Sequence, residues 1–138
     1  MSDPANDTVV RAPTFEEQNG TLYVFDTEQL PFVVRRVFLV RAPQGATRGS
    51  HAHRECQQFL VVVAGRIDVT TTDVHGTRKS TLLNVGDGMH LPAMIWATQY
   101  FVEPDSILVV LCDLTYAEDD YIRDRPAFDG LKPHHTGS

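Results

Sequence analysis

Two histidines, His51 and His53, stand two positions apart just before a continuous apolar run at residues 59–64. Side chains two positions apart lie on the same face of a β-strand. The apolar run favours an inward face, where each imidazole needs a ligand, a water or a metal as its partner. An imidazole has an unperturbed pKa of about 6.5, which suits acid–base catalysis near neutral pH. On an outward face both rings would be solvated and chemically idle.

The segments that must position this pair are short strands separated by turn signals. Apolar or alternating runs cover residues 22–25, 33–40, 59–64, 67–72, 79–85, 95–101 and 107–114. Many short strands at fairly even spacing predict an all-β sandwich or barrel. Residues 117–129 are predicted to form one short helix that ends near Pro126.

The 138 residues make one domain's length of sequence. We expect a flexible N-terminal arm at residues 1–20, a single domain at 21–130 and a disordered tail at 131–138. The formal net charge of −6 argues against nucleic acid and acidic membranes as partners, although a few arginines in one cleft can still bind a small anion. No membrane span and no secretory signal is recognised, so we expect a cytoplasmic protein. Cys56 and Cys112 are expected to be reduced and buried.

A spacing motif extends over the histidine pair. Gly45, His51, His53, Gln58 and Gly65 follow the frame G-x5-H-x-H-x4-E-x6-G, with Gln in place of Glu. This frame resembles the first motif of the cupin family. The resemblance covers about residues 35–115 and implies a double-stranded β-helix, the jelly-roll-like barrel of that family.

The second cupin motif begins as expected at Gly86 and Pro92 but departs where Ala97 replaces the family's histidine. A cupin metal site would use that histidine and the glutamate that Gln58 replaces here. Two imidazoles and an amide do not make a strong divalent site. We therefore predict no metal and no other cofactor, and a structural role for His90.

Three further segments carry a closer resemblance: R-G-S-H-A-H at 48–53, Q-F-L-V-V-V-A-G at 58–65 and D-D-Y-I-R-D at 119–124. They are similar to the nucleotide-sugar 3,4-ketoisomerases, small cupins that act on dTDP-4-keto-6-deoxyglucose in deoxysugar biosynthesis. The resemblance implies an isomerase that moves the ketone from C4 to C3 through an enediol or enediolate, without a metal or a redox cofactor.

The resemblance also implies catalytic roles. His51 is the expected base, and His53 either relays a proton, binds the oxyanion or only orients His51 by a hydrogen bond. Many relatives carry a sugar-facing tyrosine near the position of Phe38, which has no hydroxyl. Either another donor serves, or the alignment there is shifted, or the activity differs. Residues 121–123 are expected to pack the C-terminal helix against the barrel.

Substrate binding is expected to use residues of several strands. Arg48 and Arg36 can pair with phosphate oxygens, and a solvated sheet face is the alternative for Arg36. Trp96 and Tyr100 can stack on thymine, and a core role is the alternative for each. Gln58 can hydrogen-bond the sugar.

Other functions are open at this point. They are a dTDP-sugar 3,5-epimerase, a non-catalytic cupin that binds a sugar nucleotide, and a metal-dependent cupin oxygenase. The resemblance further implies a homodimer, in some relatives with an exchanged N-terminal strand, and the apolar residues 22–40 can lie in its interface. The sequence does not fix the nucleotide or the gluco or galacto configuration of the product at C4.

Overall fold

The structure of the chain, a computed structural model, describes residues 9–131. Those residues are almost entirely β-structure with one short C-terminal helix, which confirms the predicted fold class. The elements are β1 (Val9–Arg11), β2 (Thr14–Glu17), β3 (Gly20–Tyr23), β4 (Arg36–Arg41), β5 (Thr47–His53), β6 (Gln58–Ala64), β7 (Arg66–Thr72), β8 (Arg78–Asn84), β9 (Asp87–Leu91), β10 (Trp96–Phe101), β11 (Ile107–Cys112), β12 (Tyr121–Ile122) and α1 (Arg125–Asp129).

Two five-stranded antiparallel sheets enclose the core. One has the strand order β1-β9-β6-β11-β4 and the other β12-β5-β10-β7-β8, while β2 and β3 form a separate hairpin. Alternation along each strand turns one set of apolar side chains into the space between the sheets. The most deeply buried of these are Leu60, Val62, Ile67, Val69, Phe101, Leu108 and Val110. This arrangement confirms the double-stranded β-helix, with β5 lying between β12 and β10 in the second sheet.

The N-terminal segment differs from expectation. Residues 9–20 lie in the predicted flexible arm, but β1 pairs with β9, and Arg11 forms an ion pair with Asp87 at 3.1 Å. The next strand, β2, pairs with β3 in the hairpin. β1 has three residues and β2 is exposed throughout, so neither shows the apolar alternation that marks a strand. Residues 1–8 lie outside the described part of the chain.

The helix predicted at residues 117–129 has the wrong bounds. Pro126 stands in the first turn of α1 and begins the helix rather than ending it. A proline is tolerated there because the first N–H groups of a helix have no helical partner. Asp124 caps the same end by accepting a hydrogen bond from the Ala127 N–H at 3.1 Å. The residues before it form a 3₁₀ turn and then β12, which pairs with β5.

Three further sequence predictions concern the C-terminal tail, membrane-spanning segments and the two cysteines. The predicted disordered tail lies outside the described residues, except for Leu131. Within residues 9–131, no helix has the length and apolar character needed to cross a bilayer. Cys56 and Cys112 are both free and buried, as expected for small hydrophobic residues.

Candidate active site

A cavity of about 210 Å³ opens at the inner face of β5. Its walls come from both sheets and from the segment around β12. The polar and aromatic side chains that line it are Arg36, Phe38, Arg48, His51, Gln58, Gln99, Tyr121 and Arg123. The site therefore combines cations, amides, a phenol and an imidazole on a mainly β scaffold.

A β-bulge in β5 brings Arg48 and His51 to the same face. Residues three apart on a regular strand point to opposite faces. The register between β5 and β10 shifts at this point, and Ser50 becomes an extra residue in β5. Gly49 and Ser50 both have positive φ values, 84° and 58°. The extra residue restores the common orientation, so that both side chains line the cavity.

The hydrogen bond of His51 identifies its protonated nitrogen. Its Nδ1 lies 3.1 Å from the carbonyl oxygen of Gly49. Because a carbonyl oxygen only accepts, the neutral ring carries its hydrogen on Nδ1 and presents Nε2 as an acceptor. Burial, followed by the neighbouring His53, lowers the pKa of His51 to about 4. The ring is therefore neutral at pH 7 and can act there as a base.

His53 has a different partner. Its Nδ1 lies 2.9 Å from Oδ2 of Asp120, a carboxylate that also accepts the N–H of Glu55 at 2.7 Å and that of Cys56 at 3.2 Å. Burial lowers the pKa of His53, while Asp120 acts in the opposite direction. Burial opposes the ionisation of Asp120, but its hydrogen-bond donors outweigh this and lower its pKa. The Nε2 atom of His53 is buried and has no partner among the described residues.

The two cavity-lining rings of His51 and Tyr121 pack against the ring of His53. The Tyr121 ring centroid lies 5.0 Å from that of His51 and 4.3 Å from that of His53. The two imidazoles meet edge to face, with centroids 5.0 Å apart. Among residues 9–131 no hydrogen bond joins them, and each Nδ1 has another partner. The geometry therefore does not support a role for His53 in orienting His51 by a hydrogen bond.

Arg36, Arg48 and Arg123 give the cavity a cationic wall. A hydrogen bond with the side chain of Tyr121 raises the pKa of Arg36. Arg123 forms a forked pair with Glu118, with N···O distances of 2.9 and 3.1 Å. Neither Arg36 nor Arg48 forms an ion pair with a carboxylate in the described chain. These two guanidinium groups can therefore bind an anionic ligand without first breaking an ion pair.

Of the other predicted binding residues, Gln58 lies on a strand face that lines the cavity, whereas Trp96 and Tyr100 do not. Gln58 lines the cavity, on the inner face of β6. Trp96 packs against Phe128 of α1, with ring centroids 5.7 Å apart, and Tyr100 is exposed. Even-numbered residues of β10 face away from the cavity, whereas Gln99 faces into it. These positions do not support stacking of Trp96 and Tyr100 on a base within this cavity.

Three site residues near β12 were missed from the sequence: Asp120, Tyr121 and Arg123. The expectation that residues 121–123 pack α1 against the barrel holds for Ile122, which is buried beside Phe128. Tyr121 and Arg123 instead line the cavity. Tyr121 and Arg123 stand on either side of the apolar Ile122, which is the period-two alternation of a strand. This alternation is the sequence signal that could have placed both side chains on one face.

A metal site is not supported by the donor groups. Among the described residues, His53, Cys56 and Asp120 have ligand atoms within 4.8 Å of one another. The Asp120 carboxylate is already occupied by N–H donors, and burial raises the pKa of Cys56 to about 12, so that its thiol keeps its proton. His90 faces away from the cavity, with its Nε2 2.7 Å from the Gln57 side-chain oxygen. These residues form a hydrogen-bonded cluster rather than an open ligand set.

The chain matches one family model, and several proteins similar to it are named as sugar 3,4-ketoisomerases. Residues 5–132 match the family model described as FdtA: WxcM-like, C-terminal. The chain is 26% identical over 120 residues to a TDP-4-oxo-6-deoxy-alpha-D-glucose-3,4-oxoisomerase of Aneurinibacillus thermoaerophilus, covering 86% of this chain and 84% of that protein. The structure of WlaRA, a TDP-fucose-3,4-ketoisomerase of Campylobacter jejuni, is 27% identical with a TM-score of 0.81, covering 93% and 96% of the two chains. QdtA, a sugar 3,4-ketoisomerase of Thermoanaerobacterium thermosaccharolyticum solved with TDP, is 21% identical with a TM-score of 0.83, covering 90% and 92%.

Proposed function

The chain belongs to the FdtA family of WxcM-like, C-terminal domains, and from this membership we propose that it is a metal-independent sugar-nucleotide 3,4-ketoisomerase. Its proposed reaction moves the ketone of dTDP-4-keto-6-deoxyglucose from C4 to C3, in cytoplasmic deoxysugar biosynthesis. The named reactions of its relatives support this reaction class. The observation that carries the proposal is the neutral His51 imidazole, which lines the cavity beside Arg36 and Arg48, two arginines with no carboxylate partner among the described residues.

The proposed chemistry needs only proton transfers. A ketone at C4 makes the hydrogen on C3 acidic, so His51 Nε2 can remove it while an enediolate forms between C3 and C4. The hydroxyl proton on O3 then moves to O4, and His51 returns its proton to C4. The product carries a ketone at C3 and a hydroxyl at C4, with no change in atoms or overall oxidation state. A positioned base of this kind contributes about 10²–10⁴-fold to a rate.

Arg36 and Arg48, which form no ion pair within residues 9–131, are proposed to hold the diphosphate. Guanidinium groups form paired, charge-assisted hydrogen bonds to phosphate oxygens. Arg36 approaches from β4 and Arg48 from β5, so an anion between them would be fixed relative to both sheets. Gln58 on the same cavity wall is proposed to hydrogen-bond the sugar.

Replacing Arg48 by Ala is expected to raise KM for the sugar nucleotide by about 10–100-fold, the effect of losing one hydrogen bond to a charged group. We expect kcat to change much less, because Arg48 binds a remote part of the substrate. Steady-state kinetics measure both quantities. Arg78→Ala removes the same charge at the exposed start of β8 and serves as the control. An unchanged KM in Arg48→Ala would remove Arg48 from the binding site.

We propose that the chain forms a homodimer. The outer face of β4 exposes Val37 and Leu39, at 55% and 65%, and Val33 before it is 79% exposed. Contiguous apolar surface of this kind is typical of a protein interface. Light scattering after size exclusion is expected to give twice the chain mass of 15.4 kDa. Leu39→Glu should shift this towards the single-chain mass, whereas Leu82→Glu on the opposite sheet should not.

A single-chain mass for the unmodified protein would reject the dimer. Strand exchange stays a separate prediction, since β1 pairs here with β9 of its own chain. Chemical cross-linking between cysteines introduced at Arg11 and Asp87, which face each other across that pair, would report it. Cross-linked dimers indicate exchange, and cross-links within single chains contradict it.

The reaction itself is tested by incubating the purified chain with dTDP-4-keto-6-deoxyglucose in D₂O and following the sugar by NMR. We expect a 3-keto isomer to accumulate without exchange of the hydrogen on C5. Deuterium at C5 would instead identify a 3,5-epimerase. Calorimetric binding without turnover would identify a non-catalytic sugar-nucleotide-binding protein.

A further inference from the structure

We propose that Asp120 is a positioning residue for the second proton of the reaction. It holds His53 with a hydrogen on Nδ1, so that His53 Nε2 carries the hydroxyl proton from O3 to O4. This inference rests on the proposed function and extends it, because it assigns to Asp120 the task of fixing the His53 tautomer that such a relay requires. His51 keeps the proton that moves between carbons.

Two backbone N–H groups hold the carboxylate of Asp120 in place, in addition to its contact with the His53 imidazole. The backbone N–H of Glu55 and that of Cys56 both donate to it, at 2.7 and 3.2 Å. Both donors lie in the connection that follows β5, directly after His53. Because an ionised carboxylate only accepts, the ring nitrogen 2.9 Å away must donate, and the hydrogen of neutral His53 lies on Nδ1.

This arrangement leaves His53 Nε2 as a buried acceptor. It has no partner in the described part of the chain, and leaving a buried polar atom without a hydrogen bond is unfavourable. His53 shares the inner face of β5 with His51, and its ring packs against the cavity-lining rings of His51 and Tyr121. A hydroxyl of a bound sugar would supply the missing donor.

The two imidazoles differ in how well they bear a positive charge. The Nδ1 hydrogen of His51 meets a neutral carbonyl, at Gly49. The Nδ1 hydrogen of His53 meets a carboxylate, and protonation of that ring would complete an ion pair with Asp120. An ion pair in a buried site stabilises the imidazolium far more than a neutral acceptor does. His53 is thus suited to receive and release a proton within one catalytic cycle.

The steps balance. After His51 has taken the proton from C3, the O3–H bond breaks as the Nε2–H bond of His53 forms. That Nε2–H bond then breaks as the O4–H bond forms, and His53 is neutral again. The electron pair left on O3 becomes part of the C3 carbonyl while C4 accepts the proton held by His51.

The test compares Asp120→Asn with Asp119→Asn. The Asp120→Asn side chain lacks the negative charge, and its amide group can donate to Nδ1 of His53 and reverse the tautomer. We expect kcat to fall about 100-fold, within the range for acid–base groups, with KM changed less than about twofold. In ¹⁵N-histidine NMR, His53 should show an Nδ1 hydrogen in the unmodified protein and lose it in Asp120→Asn. Asp119 is exposed, so its variant should change neither result.

A double substitution shows whether Asp120 acts through His53. In a His53→Asn protein, Asp120→Asn should cause no further loss of kcat, whereas an additional 100-fold loss would overturn the inference. Full activity of Asp120→Asn would also overturn it. So would an Nε2 hydrogen on His53 in the unmodified protein, and that measurement does not depend on the folding of any variant. An unmodified protein that shows the Nδ1 hydrogen but no isomerisation would reject the proposed function, and with it the catalytic role, while confirming the Asp120–His53 arrangement.

Discussion

Replacing His51 by Asn is expected to lower kcat by about 10²–10⁴-fold, the usual contribution of a positioned acid–base group. Asparagine retains an N–H that can donate to the Gly49 carbonyl, but it has no basic nitrogen to direct at the substrate. Folding and nucleotide binding should therefore survive. Isomerisation is measured by NMR, TDP binding by calorimetry and folding by circular dichroism. His75→Asn, at an exposed position in the turn before β8, is the matched control and should retain full activity.

The His51 result separates catalysis from binding. Unchanged TDP binding with a large loss of kcat supports His51 as the base. Full activity of His51→Asn would reject that assignment, and parallel loss of TDP binding and activity would place His51 in substrate binding instead.

Gly49→Ala is expected to lower kcat about 100-fold, because it disturbs the bulge that directs two cavity residues. Gly49 has a φ of +84°, and a Cβ there would lie 2.7 Å from Gln99 Oε1 and 3.0 Å from the Ala97 carbonyl oxygen. A residue with a side chain in that backbone region costs about 1–2 kcal/mol of stability. Moving this peptide also moves the carbonyl that fixes the hydrogen of His51 on Nδ1.

Gly45→Ala is the matched control for Gly49→Ala. Gly45 has nearly the same φ, +87°, but a Cβ there would contact nothing within 4 Å. It should show the backbone cost in thermal unfolding without the loss of kcat. Equal kcat in Gly49→Ala and the unmodified protein would show that the bulge does not control the orientation of His51.

Strand alternation predicted much of this molecule because it is a local property. It located most strands to within a few residues, and it placed His51 and His53 on one face without knowledge of their neighbours. The same rule could not place Arg48 with them, because an odd spacing requires the bulge at Ser50. That bulge depends on the pairing of β5 with β10, which is a contact between distant segments.

The remaining differences also come from distant contacts. Alternation divides β10 into two faces but does not say which faces the cavity, so Trp96 was predicted as a ligand and Gln99 was missed. β12 has two residues and exists because it pairs with His53 and Ala52. The acidic and aromatic residues at positions 116–121 are equally compatible with a helix until that pairing is known. The position of Asp120 beside His53 follows from it.

The most direct test of the central claim uses dTDP-4-keto-6-deoxyglucose labelled with ¹³C at C4. If His51 and His53 move the ketone to C3, the labelled carbonyl signal should be replaced by that of a carbon bearing a hydroxyl, at a rate that His51→Asn lowers by about 10²–10⁴-fold. A labelled carbon that stays a ketone throughout incubation with the unmodified protein would contradict the account.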